Sequence, residues 1–320
     1  ILNTYIIETD GDLTLFTVQT GSDRYAYITV PSGSIFNGNP DGENVISGYT
    51  RLFAANQIGT AAKPLASQVG HLEGHATSSS GGIWITNTGN MQTGGITPGE
   101  GVDSNGPIYL TAVGCTITVA EPVTSPKEIV ITANADPGDN IYVNPGIKIE
   151  STGSYVWLIA SGTVTIPVGA IVTTSTSGAN SYLRITIGYG TSIDPVLGGG
   201  HLNLFGTINT SSILLEGNPN NDYFDISPTL ALVKTTVNGG AGNDTIYMHG
   251  LLPITDSTPI VLDGQAGSDE YIIDLVSDSN TSYIINVKES VVNGSDVNRL
   301  TINGTPLDDH FLIRANFVAL

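Results

Sequence analysis

Four aspartates stand five positions after a glycine: Asp222 after Gly217, Asp244 after Gly239, Asp269 after Gly264, and Asp309 after Gly304. Each carboxylate is a hard oxygen donor, and a glycine turn bares main-chain carbonyls beside it. Oxygens of these two kinds are what Ca²⁺ takes. The fullest version is Gly239-Gly240-Ala241-Gly242-Asn243-Asp244-Thr245-Ile246-Tyr247. Its glycines permit backbone angles that a Cβ would block. The expected metal ligands are therefore Gly239, Ala241 and Asp244, then Gly264, Ala266 and Asp269, with Asp222 and Asp309 from looser copies. The competing reading of these aspartates is an Asx turn, in which the carboxylate bonds its own backbone amides.

Ion binding between turns requires the turns to stack on one edge. The first glycines lie 22, 25 and 40 residues apart. The two shorter intervals suit one coil each; the longest allows an inserted loop or two coils. Apolar strands lead into each turn, the last being Leu300-Thr301-Ile302-Asn303, and two residues after each aspartate comes Phe224, Ile246, Tyr271 or Phe311. Ile246 is expected to point inward.

The same period runs upstream. Strands beginning at Ile117, Ile141 and Val164 fall 24 and 23 residues apart. Turns at Asn144-Pro145-Gly146 and Pro167-Val168-Gly169 lead to second strands, and Tyr155–Ile159 and Tyr182–Ile187 supply third ones. The pattern predicts an all-β fold, a right-handed parallel β-helix (β-solenoid) with loop insertions. One coil cannot bury its inward side chains alone and needs neighbours above and below. Three regions are expected: an irregular β/solenoid part over 1–108, a β-helix with Pro-Gly turns over 109–210, and its continuation with Gly/Asn/Asp turns over 211–320. Residues 31–80 read as looser, with a strand or short helix over 51–59. Residues 93–107 and 188–201 read as loops.

Other chemistry is sparse. His71 and His75 lie four apart without the pattern H-E-x-x-H, and are expected in a loop rather than at zinc. The acid pairs Asp10/Asp12, Asp136/Asp139 and Asp308/Asp309 sit in turns, where solvated carboxylates are ordinary. Arg24, Arg51, Arg184, Arg299 and Arg314 are scattered, which gives no sign of the acid-and-base cluster of a polysaccharide-cleaving enzyme. Cys115 is alone, so no internal disulfide forms, and it reads as a buried small hydrophobe. Trp84, Trp157 and the 13 tyrosines are expected in the core or in stacks along the axis.

The composition fits this reading. Glycine accounts for 39 of 320 residues and charged side chains for only 12%. A net charge of −19 with ten Lys and Arg excludes a phosphate-backbone partner. No apolar run reaches the roughly eighteen residues of a membrane span. The sequence begins at Ile1 without Met, and is expected to be a piece of something longer.

In Gly82–Asn90, Thr165–Ala170, Gly239–Tyr247 and Arg299–Thr305, the chain resembles the repeat regions of giant bacterial surface or secreted proteins. Those mix filamentous-haemagglutinin-like β-helices with haemolysin-type, RTX-like calcium-binding turns. The likeness covers most of residues 80–320. It implies export to the cell surface and a structural or adhesive, non-enzymatic role, with Ca²⁺ as cofactor. The implied partners are a surface polysaccharide, a host or neighbouring cell surface, or further copies in a fibre. Calcium-binding members carry the nonapeptide in tandem, whereas only Gly239–Tyr247 is complete here. The alternative on the same scaffold is a carbohydrate-active enzyme of the polysaccharide lyase or hydrolase kind.

Overall fold

The computed structural model describes residues 2–134, 138–175, 180–189, 199–227, 234–251, 260–275, 284–291, 294–306, 308, 312–314 and 317–319. It is all-β, with about ten coils of parallel strands stacked as a β-solenoid. Among the described residues there is no helix, hence none able to cross a membrane.

Alternation sets the inside. Leu110, Ile131, Leu158 and Ile185 pair in register along one face, all fully buried, while the residues just before them, Tyr109, Val130, Trp157 and Arg184, lie on the outer face, where Val130 is covered and the other three are half-buried. A one-residue slip would turn every one of these side chains over, so burial fixes the register. The expected stack is present and longer than its three founding members. Met91, Ile117, Ile141, Val164, Leu202, Phe224, Ile246, Tyr271 and Leu300 lie opposite one another from coil to coil. Ile246 points inward, as expected.

The coils change cross-section along the axis. In the middle, three strands make a coil, as in Ile141–Val143, Lys148–Ser151 and Val156–Ala160. The column that contains Lys148–Ser151 continues through Ile171–Thr174 to Thr207–Asn209 and, among the described residues, ends there. Beyond it the described residues form two strands in each coil: Ser212–Glu216 with Tyr223–Ile226, Lys234–Ala241 with Thr245–Leu251, Ile260–Ala266 with Glu270–Leu275, and Ile284–Lys288 with Arg299–Asn303. Glycine–aspartate turns join the two strands in three of these coils.

Several expectations are corrected. Residues 31–80 are not loose: they hold the longest described strands, Val45–Ala54 and Leu65–Ala76, which run around a corner of the solenoid and pair with different neighbours before and after it. Arg51–Ala54 is accordingly strand, not helix. Residues 93–107 are not all loop, since Val102–Ser104 is a ladder strand. Cys115 is half-buried rather than buried.

The aromatic side chains stack along the axis. Tyr5 stacks on Tyr27, Tyr25 on Tyr49, and Tyr49 on His71, with ring centroids 4.5–4.9 Å apart. Tyr155 stacks on Tyr182, and Arg184 sits 4.2 Å over Trp157. Rings inside these stacks show solvent their edges, while Tyr5 at the end of its stack is exposed.

Candidate metal centre

Strand register carries the glycine–aspartate turns onto one edge. Tyr223 lies opposite Thr245 and Thr245 opposite Glu270, so the preceding residues Asp222, Asp244 and Asp269 form a column. All three are buried, at 1–2% exposure. One carboxylate oxygen of each accepts an amide from the neighbouring coil. Gly200 N–H donates to Asp222 Oδ1 at 2.5 Å, Asp222 N–H to Asp244 Oδ1 at 2.8 Å, and Asp244 N–H to Asp269 Oδ1 at 2.8 Å. The plain Asx turn is therefore only part of the account: Asp222 Oδ2 does accept the Asn218 amide of its own turn, at 2.5 Å. The other bonds run between coils.

The glycine five residues earlier is explained by the second oxygen. Oδ2 of Asp244 lies against Gly239 and Oδ2 of Asp269 against Gly264, where any Cβ would overlap it. A parallel ladder runs the opposite way one position earlier. Asn243 N–H donates to Asn221 Oδ1 at 2.7 Å and Ser268 N–H to Asn243 Oδ1 at 2.8 Å.

These inward oxygens find no N–H or O–H donor as carboxylates: Asp244 Oδ2, Asp269 Oδ2 and Glu289 Oε2 are buried and accept no hydrogen bond. Asp269 and Glu289 face each other within hydrogen-bonding reach. Glu289 arrives because Lys288 lies opposite Asp263, which sets Glu289 opposite Gly264. Its other oxygen accepts the Tyr271 hydroxyl, which in turn accepts Gly264 N–H at 2.6 Å. The nearby Lys288 ammonium is paired with Asp263, at 3.0 Å. Burial pushes Asp222 up to about 7 and Asp244 up to about 8, raises Asp269, and pushes Glu289 up to about 7. Loss of hydration disfavours the charged carboxylate, the amide donors offset only part of this, and a proton or a cation relieves the rest. A cleft of about 590 Å³, lined by Tyr271, Lys288, Glu289, Asn298 and Arg299 among others, opens onto this end of the column.

Ca²⁺ fits the donor chemistry: buried carboxylate oxygens without partners, beside turn carbonyls such as that of Gly264, which lies against Gly239. The arrangement is a column rather than a closed cage. Among the described residues, no three of these carboxylates bring an oxygen each within 4.8 Å of one another. Ala241 and Ala266 lie opposite each other in the ladder; the Ala241 amide donates to Asn218 O, and Ala266 O accepts Gly242 N–H.

Asp309 lies outside the described residues. The strand Arg299–Asn303 does not lead into a turn in the way Ile260–Ala266 does. Leu300 is opposite Tyr271, so this strand belongs after the turn of its coil, and the residue opposite Asp269 is Asn298. Asn298 Oδ1 accepts Asp269 N–H at 2.7 Å. Both Asn298 and Glu289 escape a motif search because their coil has no glycine at the expected place. The pairing signal was Leu300 as the next apolar residue in line with Tyr271, although at this end of the stack it is left exposed. His71 and His75 are also corrected: both lie on the strand Leu65–Ala76, not in a loop.

No protein-family model, no curated protein and no solved structure matches the chain.

Proposed function

We propose that this chain is an extracellular structural and adhesive module, a β-solenoid rod whose coils over 211–320 are stiffened by Ca²⁺ ions held along the column of buried carboxylates that includes Asp244, Asp269 and Glu289, with turn carbonyls as further ligands. The observation that carries this reading is the set of unpartnered carboxylate oxygens on stacked turns. At about 4.8 Å per coil, about ten coils make a rod on the order of 50 Å long. A cation that ties successive turns together resists fraying of such a rod, because each coil depends on its neighbours. The charge of −19 suits divalent-cation-rich surroundings.

Calorimetry of the chain in EDTA and in millimolar CaCl2 tests the metal. A higher transition temperature with Ca²⁺ is expected, and identical transitions would remove the ion from the account. Adhesion is tested by retention on immobilised acidic and neutral polysaccharides and on whole cells, with reducing ends and unsaturated ends assayed in the same incubations. Retention without cleavage supports the adhesive reading. Cleavage would favour the carbohydrate-active alternative.

A further inference from the structure

A second set of ligand-bearing side chains lies on the N-terminal coils, far in sequence from the aspartate column. His71, Glu73 and His75 alternate outward along Leu65–Ala76, while Leu72, Gly74 and Ala76 point inward. Arg51 lies opposite Glu73 on one neighbouring coil, and Asp103 opposite His75 on the other. The chain leaves this face at Gly94, whose amide donates to Leu72 O, and returns at Gly101, whose carbonyl accepts Gly74 N–H. The intervening segment covers Glu73 completely. Ile96 and Thr97 both donate their amides to Glu73 Oε1, and Glu100 is carried to the same spot.

Three donor atoms converge there. His75 Nε2, a Glu73 carboxylate oxygen and a Glu100 carboxylate oxygen all lie within 4.8 Å of one another. His75 Nε2 is 3.5 Å from Glu100 Oε2. Donors about 2.0–2.2 Å from a tetrahedral ion sit roughly 3.3–3.6 Å apart. Glu73 is fully buried, yet its Oε2 accepts no hydrogen bond; Arg51 Nε is an ion-pair neighbour at 3.5 Å. His75 Nε2 is also buried without a hydrogen-bond partner.

Asp103 fixes the ring. Its carboxylate meets His75 Nδ1, and a carboxylate accepts only, so Nδ1 carries a proton. In the neutral ring the Nε2 lone pair then faces the carboxylates, where a metal would take the place of a second proton. A carboxylate that orients the far side of a ligating imidazole is the usual outer support of a metal site. The charges agree with this. Glu73, Glu100 and Asp103 supply three negative charges, while Arg51, bonded to Glu100 Oε2 at 2.7 Å, supplies one positive charge. With the imidazole neutral, as a metal ligand must be, the remaining two negative charges match one divalent cation.

We propose that Glu73, His75 and Glu100 bind a divalent transition metal of the Zn²⁺ kind, with water in the open position. One imidazole nitrogen with two carboxylates favours such an ion over Ca²⁺, which takes oxygen ligands. By joining Glu100 to the strand Leu65–Ala76, the ion pins the segment 94–101 onto the face it covers. This site is independent of the calcium reading.

The test uses the EDTA-stripped, dialysed chain, titrated separately with ZnCl2, CoCl2 and CaCl2. One equivalent of Co²⁺ is expected to give visible d–d absorption of a four-coordinate nitrogen–oxygen site, displaced by Zn²⁺. His75→Gln and Glu100→Gln are expected to abolish this absorption, and Asp103→Asn to weaken Zn²⁺ binding about 10- to 100-fold. His249→Gln, at a separate histidine paired with Asp225, is expected to leave it unchanged. Circular dichroism establishes that each variant is folded, and Glu100, being partly exposed, provides the variant least exposed to folding failure. The proposal is overturned if the wild-type chain gives no Co²⁺ absorption, or if folded Glu100→Gln binds as wild type does.

Discussion

The backbone amide of Asp244 donates to the side chain of Asp269 at 2.8 Å, one coil along the axis. The same carboxylate keeps its other oxygen folded against Gly264, without a donor. One aspartate thus has two tasks: it closes a buried amide of its neighbour, and it leaves a desolvated charge to be neutralised.

Those tasks separate by substitution. Asp244→Ala leaves the buried Asp222 amide without its acceptor and is expected to cost about 1–3 kcal/mol in urea unfolding. Asp244→Asn keeps an acceptor oxygen and removes the charge. It is expected to stay within about 1 kcal/mol of wild type in EDTA and to lose the calcium response. Equal losses for the two variants would show that the inter-coil bond contributes nothing.

Stability should fall as pH rises when no metal is present. Asp222, Asp244 and Glu289 have folded-state values pushed up to about 7, about 8 and about 7. The unfolded chain releases these protons near the ordinary carboxylate values of about 4. Between those limits the folded state binds more protons, so the contribution is complete below about pH 4 and is lost on passing through pH 7–8. Denaturation midpoints in EDTA at pH 5 and pH 8.5 check this. Saturating Ca²⁺ is expected to flatten the decline, because the ion takes the place of the protons. A column that became more stable towards pH 8.5 in EDTA would contradict it.

Gly239→Ala is expected to destabilise the chain by about 1–3 kcal/mol. The added methyl overlaps Asp244 Oδ2 and comes within 2.7 Å of the Gly264 carbonyl. Gly294→Ala, where the methyl meets nothing within 4 Å, is the control. Thermal unfolding of both variants reads the difference.

Gln265→Gly should stabilise. Gln265 holds φ at +73° and lies opposite Gly240, which has φ +119°. A side chain in this left-handed region costs about 1 kcal/mol, part of which is offset by the entropy that glycine adds to the unfolded chain. An increase of up to about 1 kcal/mol in unfolding free energy is expected, whereas Gln265→Val should lower it.

The amino-acid order alone determined the coil. Apolar residues at Ile117, Ile141 and Val164 recur once per turn because each coil must hide its inward side chains against the next, and that demand is written locally. The glycines before Asp222, Asp244 and Asp269 were legible for a related reason: a Cβ there would overlap the carboxylate oxygen five residues later, although the neighbouring coil crowds them too. Tertiary structure decided everything that depends on which strand follows which. A loop of any length inserted between strands leaves the stack intact, so counting from Gly264 to Gly304 lost the register, and only pairing could reveal Asn298 and Glu289 as the next members of the edge. Glu73, His75, Glu100 and Asp103 meet through two coils and a covering segment. No spacing rule brings them together, because their neighbourhood is set along the solenoid axis, at right angles to the direction in which the sequence is read.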